Sequence, residues 1–316
     1  MDPLTDVLTM ASVRGSIAAS LAAGEPWGLE LPLVPRAAFH AVTAGTMWLR
    51  VADGPTIHLQ PGDLVLLPRG TAHTIASGAS SPTELFDHAS AEEALNAGLE
   101  LRAGAGPTTT RVLCASYQHD GPQRLSPFAL LPEVLHVPGA VATSSLSATV
   151  RMLGDEMAMP AAGRRVVLDR TVDILLIHLL RAHLSNVDPA KEPPSWFRGL
   201  RDATTSAALT ELHRDPSHGW TTAELSRRVG VSSATLARRF KSEVGQTPAG
   251  YLAGWRMTVA AQRLRSERCS VGAVARSVGY TSEFAFNRAF SRAYGVPPGR
   301  YRTAQTTDSD GSIRSE

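Results

Sequence analysis

Two arginines fifty residues apart, Arg238 and Arg288, and a set in the first half, His40, His73 and Cys114, offer the most chemistry in this sequence. A guanidinium on the outer face of a helix can hold guanine O6 and N7 with both of its arms. Asn287 beside Arg288 carries the amide that pairs with adenine N6 and N7, and Phe284 can rest on a thymine methyl. Ser233, Ala234 and Ala237 surround Arg238, and Glu283 completes the second group, so these eight residues are the candidates for reading bases. Lys241, Arg292 and Arg302 are candidates for phosphate contacts, which position a protein on a duplex without reading it. In the first half, two imidazoles and a thiolate suit zinc, with water or a fourth protein group completing the tetrahedron. The same three also read as two polar strand positions and one small buried hydrophobe.

An internal repeat supplies the elements that position the arginines. Residues 223–230 match residues 272–279 in pattern at an offset of 49, and beyond the turn the offset is 50. There Ser232 pairs with Ser282, Leu236 with Phe286, Arg238 with Arg288, Phe240 with Phe290, Gly245 with Gly295, Pro248 with Pro298 and Tyr251 with Tyr301. Leu225 and Val229, like Val274 and Val278, are four apart and form the apolar stripe of a short first helix. Gly230 and Gly279 follow, where a left-handed residue ends a helix without a Cβ penalty. Ser232 or Ser233, and Thr281 or Ser282, then cap a second helix. At 100° per residue, Leu236 and Phe240 face inward while Ala234, Arg238 and Lys241 face outward. Each copy is therefore a helix-turn-helix. Between Thr222 and Thr303 fourteen Lys and Arg stand against four Asp and Glu, a charge of +10 in a chain whose total is +2. Positive charge gathered on these helices fits a polyanionic duplex.

This segment resembles the DNA-binding domain of the AraC/XylS family of bacterial transcription regulators. The match rests on the first unit, the connecting helix Pro248 to Leu264, and above all residues 278–290 and 295–302. The resemblance implies two recognition helices entering successive major grooves on one face of double-stranded DNA. Ala234 and Ala237 depart from it, since they offer few base contacts beyond Arg238.

Composition sets the rest. A chain of 316 residues, 43% hydrophobic and 19% charged, has room for two cored domains of ordinary globular type. The most apolar run, Val172 to Leu180, is broken by Asp173 and His178, so no membrane partner is expected. The acidic start, Met1 to Asp6, lacks the basic flank of a signal peptide, and two cysteines make no disulfide framework, which places the protein in the cytoplasm. Cys269, at the join between the repeats, is expected to be structural.

Leu4 to Leu21 has helical spacing. From Phe39 to Val51 the pattern alternates through Gly45 as two strands; Asp53-Gly54-Pro55 is a turn and Ile57-His58-Leu59 opens another strand. Pro61 to His73 reads as turn, apolar strand and turn, with His73 on the strand after. Gly62, Pro68, Gly70 and His73 resemble the second motif of cupins, and with Phe39-His40, Gly45, Cys114 and Leu131-Pro132 they resemble the cupin-type sensory domain of one AraC-like branch. That implies a small antiparallel β-barrel whose interior can hold a ligand. The first cupin motif, two His and a Glu, is absent: Ala38 stands seven residues before Gly45, and Pro32 to Arg36 holds no His-x-His. This argues against a catalytic metal centre, and the chain is not expected to be an enzyme.

Ala142 to Leu184 is a helical pair: Leu146, Val150, Leu153 and Met157 form one stripe, and a very apolar second helix follows Gly163. It reads as a cap on the open end of the barrel, while the family resemblance implies a two-fold homodimer through it, and one helix can do both. The expected class is α+β, with a cupin-like antiparallel β-barrel over residues 1–138, the helical pair over 139–184 and a polar linker over 185–196. An all-α tandem helix-turn-helix domain covers 197–303, its first helix running from Phe197 to His213, and a disordered tail covers 304–316. The function expected is a sequence-specific DNA-binding transcription regulator whose barrel senses a small-molecule, metal or redox signal; that it is an activator working with RNA polymerase is what the AraC/XylS resemblance implies. The alternative is a cupin-type metalloenzyme fused to a DNA-binding domain.

Overall fold

The computed structural model describes residues 2–34, 36–52, 54, 56–119, 128, 131–158, 161–186, 193–266 and 269–303; the expected tail and part of the expected linker lie outside these. The chain divides into two compact units, residues 13–188, and residues 1–12 together with 189–316.

In the unit of residues 13–188, β1 (Arg14–Ala23), β3 (Ala37–Ala44), β6 (Leu64–Leu67), β9 (Leu101–Ala103), β10 (Thr110–Gln118) and β11 (Leu135–Val137) form one sheet, ordered β11-β6-β3-β10-β1-β9. A second sheet, ordered β5-β4-β7-β2-β8, contains β2 (Gly28–Leu31), β4 (Met47–Val51), β5 (Thr56–Leu59), β7 (His73–Ala76) and β8 (Glu84–Leu85). Strand alternation points Leu21, Val42, Val65 and Val112 of one sheet at Leu29, Leu49, Leu59 and Ile75 of the other, giving one shared core. The expected antiparallel barrel is corrected in two respects. The pairs β1–β9 and β2–β8 are parallel, because α2 (His88–Ala97) carries the chain between β8 and β9 and each joins an edge. Among the described residues the sheets stack without closing, and Trp27, Met47, Leu49 and Leu59, all fully buried, fill the space between them. The interior expected to hold a ligand is side-chain core.

Two helices cover the outer face of the larger sheet. α3 (Ser144–Ala158) buries Leu146, Thr149, Leu153 and Met157, so Thr149 takes the stripe position expected of Val150. α4 (Arg164–Asn186) lies on β1, close enough that a Cβ on Gly15 would stand 2.3 Å from Val172 Cγ1. Tyr117 donates a hydrogen bond to the Val172 carbonyl at 3.0 Å and the Gly15 amide donates to Asp173 at 2.7 Å, which fixes the helix on the sheet.

Expected helical throughout, Leu4 to Leu21 instead divides. Pro3–Met10 is α1, capped by Asp2, whereas residues 14–21 belong to β1, where Ile17, Ala19 and Leu21 are buried alternately. Within its unit, α1 packs with α6 (Ala203–Arg214) and α9 (Pro248–Ser266). Arg265 donates to the Met10 carbonyl at 3.4 Å, and Asp6 lies 3.3 Å from His213 Nδ1.

The expected helix from Phe197 to His213 is two, α5 (Trp196–Gly199) and α6 (Ala203–Arg214), because Asp202 caps the second by accepting from the Thr205 amide. Then come the two helix-turn-helix units, α7 (Thr222–Arg228) with α8 (Ser233–Val244), and α10 (Val271–Ser277) with α11 (Glu283–Tyr294), joined by α9 (Pro248–Ser266). Ser232 and Ser282 are the caps of the second helices, and Gly245 and Gly295 end them in the left-handed region. Leu225, Leu236 and Phe240 are buried in one unit, and Val274, Phe286 and Phe290 in the other.

The turn glycines differ in an informative way. Gly230 and Gly279 have φ of 73° and 84°, but a Cβ on Gly230 meets nothing within 4 Å, while one on Gly279 would stand 2.5 Å from the Ser217 carbonyl oxygen. Gly230→Ala should therefore carry only the left-handed penalty, about 1 to 2 kcal/mol. Gly279→Ala should lower the urea midpoint more, because backbone must also move. Equal midpoints for the two variants would contradict this account.

Candidate functional site

Arg238 and Arg288 are each the sixth residue of their helix, α8 and α11, and both side chains are exposed. The cap and the αL terminator fix the phase of each helix, and the buried Leu236–Phe240 and Phe286–Phe290 pairs fix its rotation. The opposite face then points outward. Ala234, Ala237 and Lys241 share the exposed side of α8 with Arg238. Its neighbour Arg239 is committed elsewhere, donating to Asp202 at 3.1 Å, whereas no described residue forms an ion pair with Arg238.

On α11, Glu283, Phe284, Asn287 and Arg288 line one open groove with Ser291 and Pro297. Phe284 is 70% exposed, and the Arg288 guanidinium stands 5.8 Å over its ring. A cation held on an aromatic face is pre-positioned, and both groups remain open to a ligand. Lys241 and Arg292 are exposed, while Arg302 is half-buried. Ser233 is exposed and its hydroxyl is 3.0 Å from that of Ser226, which ties α8 to α7. Asp202 escaped the sequence reading; the signal was an Asp three residues before Thr205 at a helix start.

His40, His73 and Cys114 do meet, deep between the two sheets. His40 on β3 sits directly opposite Cys114 on β10, and His73 reaches it from β7 of the other sheet. The contacts run in a line: Cys114 Sγ to His40 Nδ1 at 3.2 Å, His40 Nε2 to His73 Nε2 at 2.9 Å, and His73 Nδ1 to the Thr71 carbonyl at 2.7 Å. A carbonyl only accepts, so His73 Nδ1–H donates to it, His40 Nε2–H donates to His73, and the Cys114 thiol donates to His40. Both ring nitrogens of each histidine and the Cys114 thiol are thereby satisfied with no charge present.

This geometry strings the three side chains along a line rather than around one point. Cys114 and His73 lie at opposite nitrogens of one imidazole, which cannot turn both toward a single ion. Among the described residues no group of three or more His, Cys, Asp and Glu is arranged to hold a metal. Burial pushes the Cys114 thiol up to about 12, so at neutral pH it is not a ready nucleophile. Cys269, expected to be structural, is exposed.

Burial also drives His40 well below the usual histidine range, helped by the facing His73, and lowers His73, whose bond to Thr71 opposes the shift. Both are depressed relative to the unfolded chain, so their contribution to stability is full above about pH 6.5 and is lost as pH falls below it. Each ring then costs at most ~1.4 kcal/mol per pH unit. In a proton NMR titration neither ring should change charge near neutrality; a midpoint near 6.5 for either would contradict the buried neutral relay.

Comparison with known proteins gives concordant matches to both halves. A family model described as Cupin matches residues 2–185, and one described as Helix-turn-helix domain matches residues 225–304. A putative AraC-like transcription regulator of Streptomyces antibioticus is 37% identical over 308 residues, covering 96% of this chain and 98% of its own. One of Streptomyces lividans, named in the same words, is 36% identical over 313 residues, covering 97% and 99%. The HTH-type transcriptional regulator AlkR of Acinetobacter baylyi is 28% identical over 271 residues, covering 83% and 86%.

Proposed function

The chain belongs to the AraC-like family of transcription regulators, with a cupin domain ahead of its helix-turn-helix domain, and from that premise we propose how it reads DNA and what governs it. Arg238 and Arg288 read base edges in the major groove, with Asn287 and Phe284 adding contacts from α11 and Ser233, Ala234, Ala237 and Glu283 framing the two sites. Lys241, Arg292 and Arg302 hold phosphates, the first two from exposed positions and Arg302 from a half-buried one. One observation carries this reading: an exposed arginine at the same helical position in two separately capped units.

Residues 13–188 sense a small molecule, and a signal that binds one arrangement of the protein better than another shifts the population toward it. The protein acts in the cytoplasm as an activator in contact with RNA polymerase, without enzymatic activity. Exposed Val166 and Ile174 on α4 and Met152 on α3 support pairing of two copies through the helical pair. No helix among the described residues is long and apolar enough to cross a membrane.

Footprinting of the purified protein on genomic DNA tests the proposal. Protection of two half-sites about one helical turn apart is the expected result. Binding spread evenly over all sequences would refute it. A steep fall in affinity with salt is expected in either case, since neutralised phosphates release counterions, so salt dependence alone decides nothing.

A further inference from the structure

With the interior of the sandwich filled, a small molecule must be held elsewhere in residues 13–188. A cavity of about 370 Å³ lies between the outer face of the larger sheet and α3. This volume falls within the range of ligand pockets. Its floor is Ala41 of β3 and Leu64 of β6, which face each other directly across the strands. Its helical wall is Ser147, Val150 and Gly154, a stripe beside the one α3 buries.

Gly154 is the informative residue. A glycine within a helix is destabilising relative to alanine, and local structure ordinarily supplies the reason, a left-handed φ or a close neighbour. Neither holds here: Gly154 is helical, and a Cβ on it would meet nothing within 4 Å. What its missing side chain leaves is space opening into the cavity. Val150 fits the same picture, as an apolar residue that sequence spacing assigns to the buried stripe and that instead lines the cavity.

The lining also sets the class of occupant. Ala41, Leu64 and Val150 make the lining mainly apolar, and Thr43 and Ser147 add hydroxyls to it. Arg151 and Asp155, both exposed at the mouth and one helical turn apart, carry opposite charges, so the mouth favours neither sign. We propose that this cavity, between β3, β6 and α3, is the effector site and takes a small, mainly apolar, uncharged molecule with a hydrogen-bonding group, for which 2-naphthol serves as the probe. The inference rests on reading residues 13–188 as the sensor. Occupancy would act on α3, the partner of α4 in the helical pair.

The test titrates 2-naphthol into the full-length protein by calorimetry, with 2-naphthoate and 2-naphthylmethylammonium as charged comparators on the same ring system. Saturable one-site binding of 2-naphthol is expected, at least tenfold tighter than either comparator. Gly154→Leu, which fills the cavity, should weaken it at least tenfold, whereas Gly154→Ala should retain it and raise the melting temperature. Ser147→Leu, from another point of the wall, should reproduce the loss and serves as the deciding variant should Gly154→Leu not fold. Absence of saturable binding to the wild type, unchanged binding in a folded cavity-filling variant, or tightest binding of a charged comparator would each overturn the proposal. A protein that footprints an operator but binds no naphthol leaves the DNA-reading proposal standing without the pocket; naphthol binding without a footprint does the reverse.

Discussion

Replacing Arg288 with alanine is expected to weaken binding to the operator about 5- to 150-fold, the equivalent of about 1 to 3 kcal/mol, and to relax preference at one base position. The basis is geometric. Arg288 is exposed on α11, stands over Phe284 and shares an open groove with Asn287, so its guanidinium is aimed and available. A bidentate contact to guanine lost on truncation leaves two acceptors unpaired, and that loss appears only where the base was guanine. Arg238→Ala should do the same at a different base position.

Two comparisons separate readout from charge and from folding. Lys241→Ala or Arg292→Ala should weaken all sequences alike and reduce the salt slope by about one, as loss of a phosphate contact does. Arg239→Ala removes the pair with Asp202, so its effect should fall on melting temperature, with base preference intact. Gel shifts with a panel of single-base operator variants give the measurement. If Arg288→Ala leaves both affinity and base preference at wild-type values, α11 does not read DNA through this side chain.

The C-terminal unit was legible because its signals are local and duplicated. Gly230 and Gly279, Ser232 and Ser282, and Leu236–Phe240 and Phe286–Phe290 each fix one feature of a short helix, and two copies agree. The class of the first half was legible for a similar reason: Gly62 and Gly70 have φ of 90° and 60°, and a Cβ on Gly70 would stand 2.1 Å from two carbonyl oxygens, so the motif spells out backbone geometry.

What spacing did not reveal depends on partners distant in sequence. Residues 14–21 have apolar groups that suit either period, and pairing with β10 decides for a strand. Whether sheets close depends on which edges β8 and β9 join, which no local pattern encodes. His40, His73 and Cys114 were rightly expected to meet, but which nitrogen faces which partner follows from strand register and from the Thr71 carbonyl. That detail is what draws the three into a hydrogen-bonded line.

Phe290→Ala is expected to have the largest effect on stability, about 3 to 5 kcal/mol, the range for truncating a buried aromatic. Phe290 is fully buried in the second helix-turn-helix. It stacks on Tyr294 at 4.5 Å between ring centroids and meets Tyr301 edge-on at 5.3 Å, with Phe286 at 5.7 Å. Three aromatic partners around one ring leave a void that Ala cannot fill and that rigid neighbours cannot close. Natural domains are stable by only about 5 to 15 kcal/mol, so one such loss removes a large part of the margin. Tyr301 matters here because it belongs to the segment after α11, so the same cavity loosens the helix from the chain that follows it. DNA binding should then fail with Arg288 still present, because an arginine on an unfixed helix is no longer aimed. Phe290→Leu, which keeps most of the volume, should cost less and retain measurable operator binding. Chemical denaturation followed by circular dichroism, with gel shifts on the same samples, distinguishes the cases. A Phe290→Ala protein that melts and binds as the wild type does would mean that the aromatic cluster does not hold α11 in place.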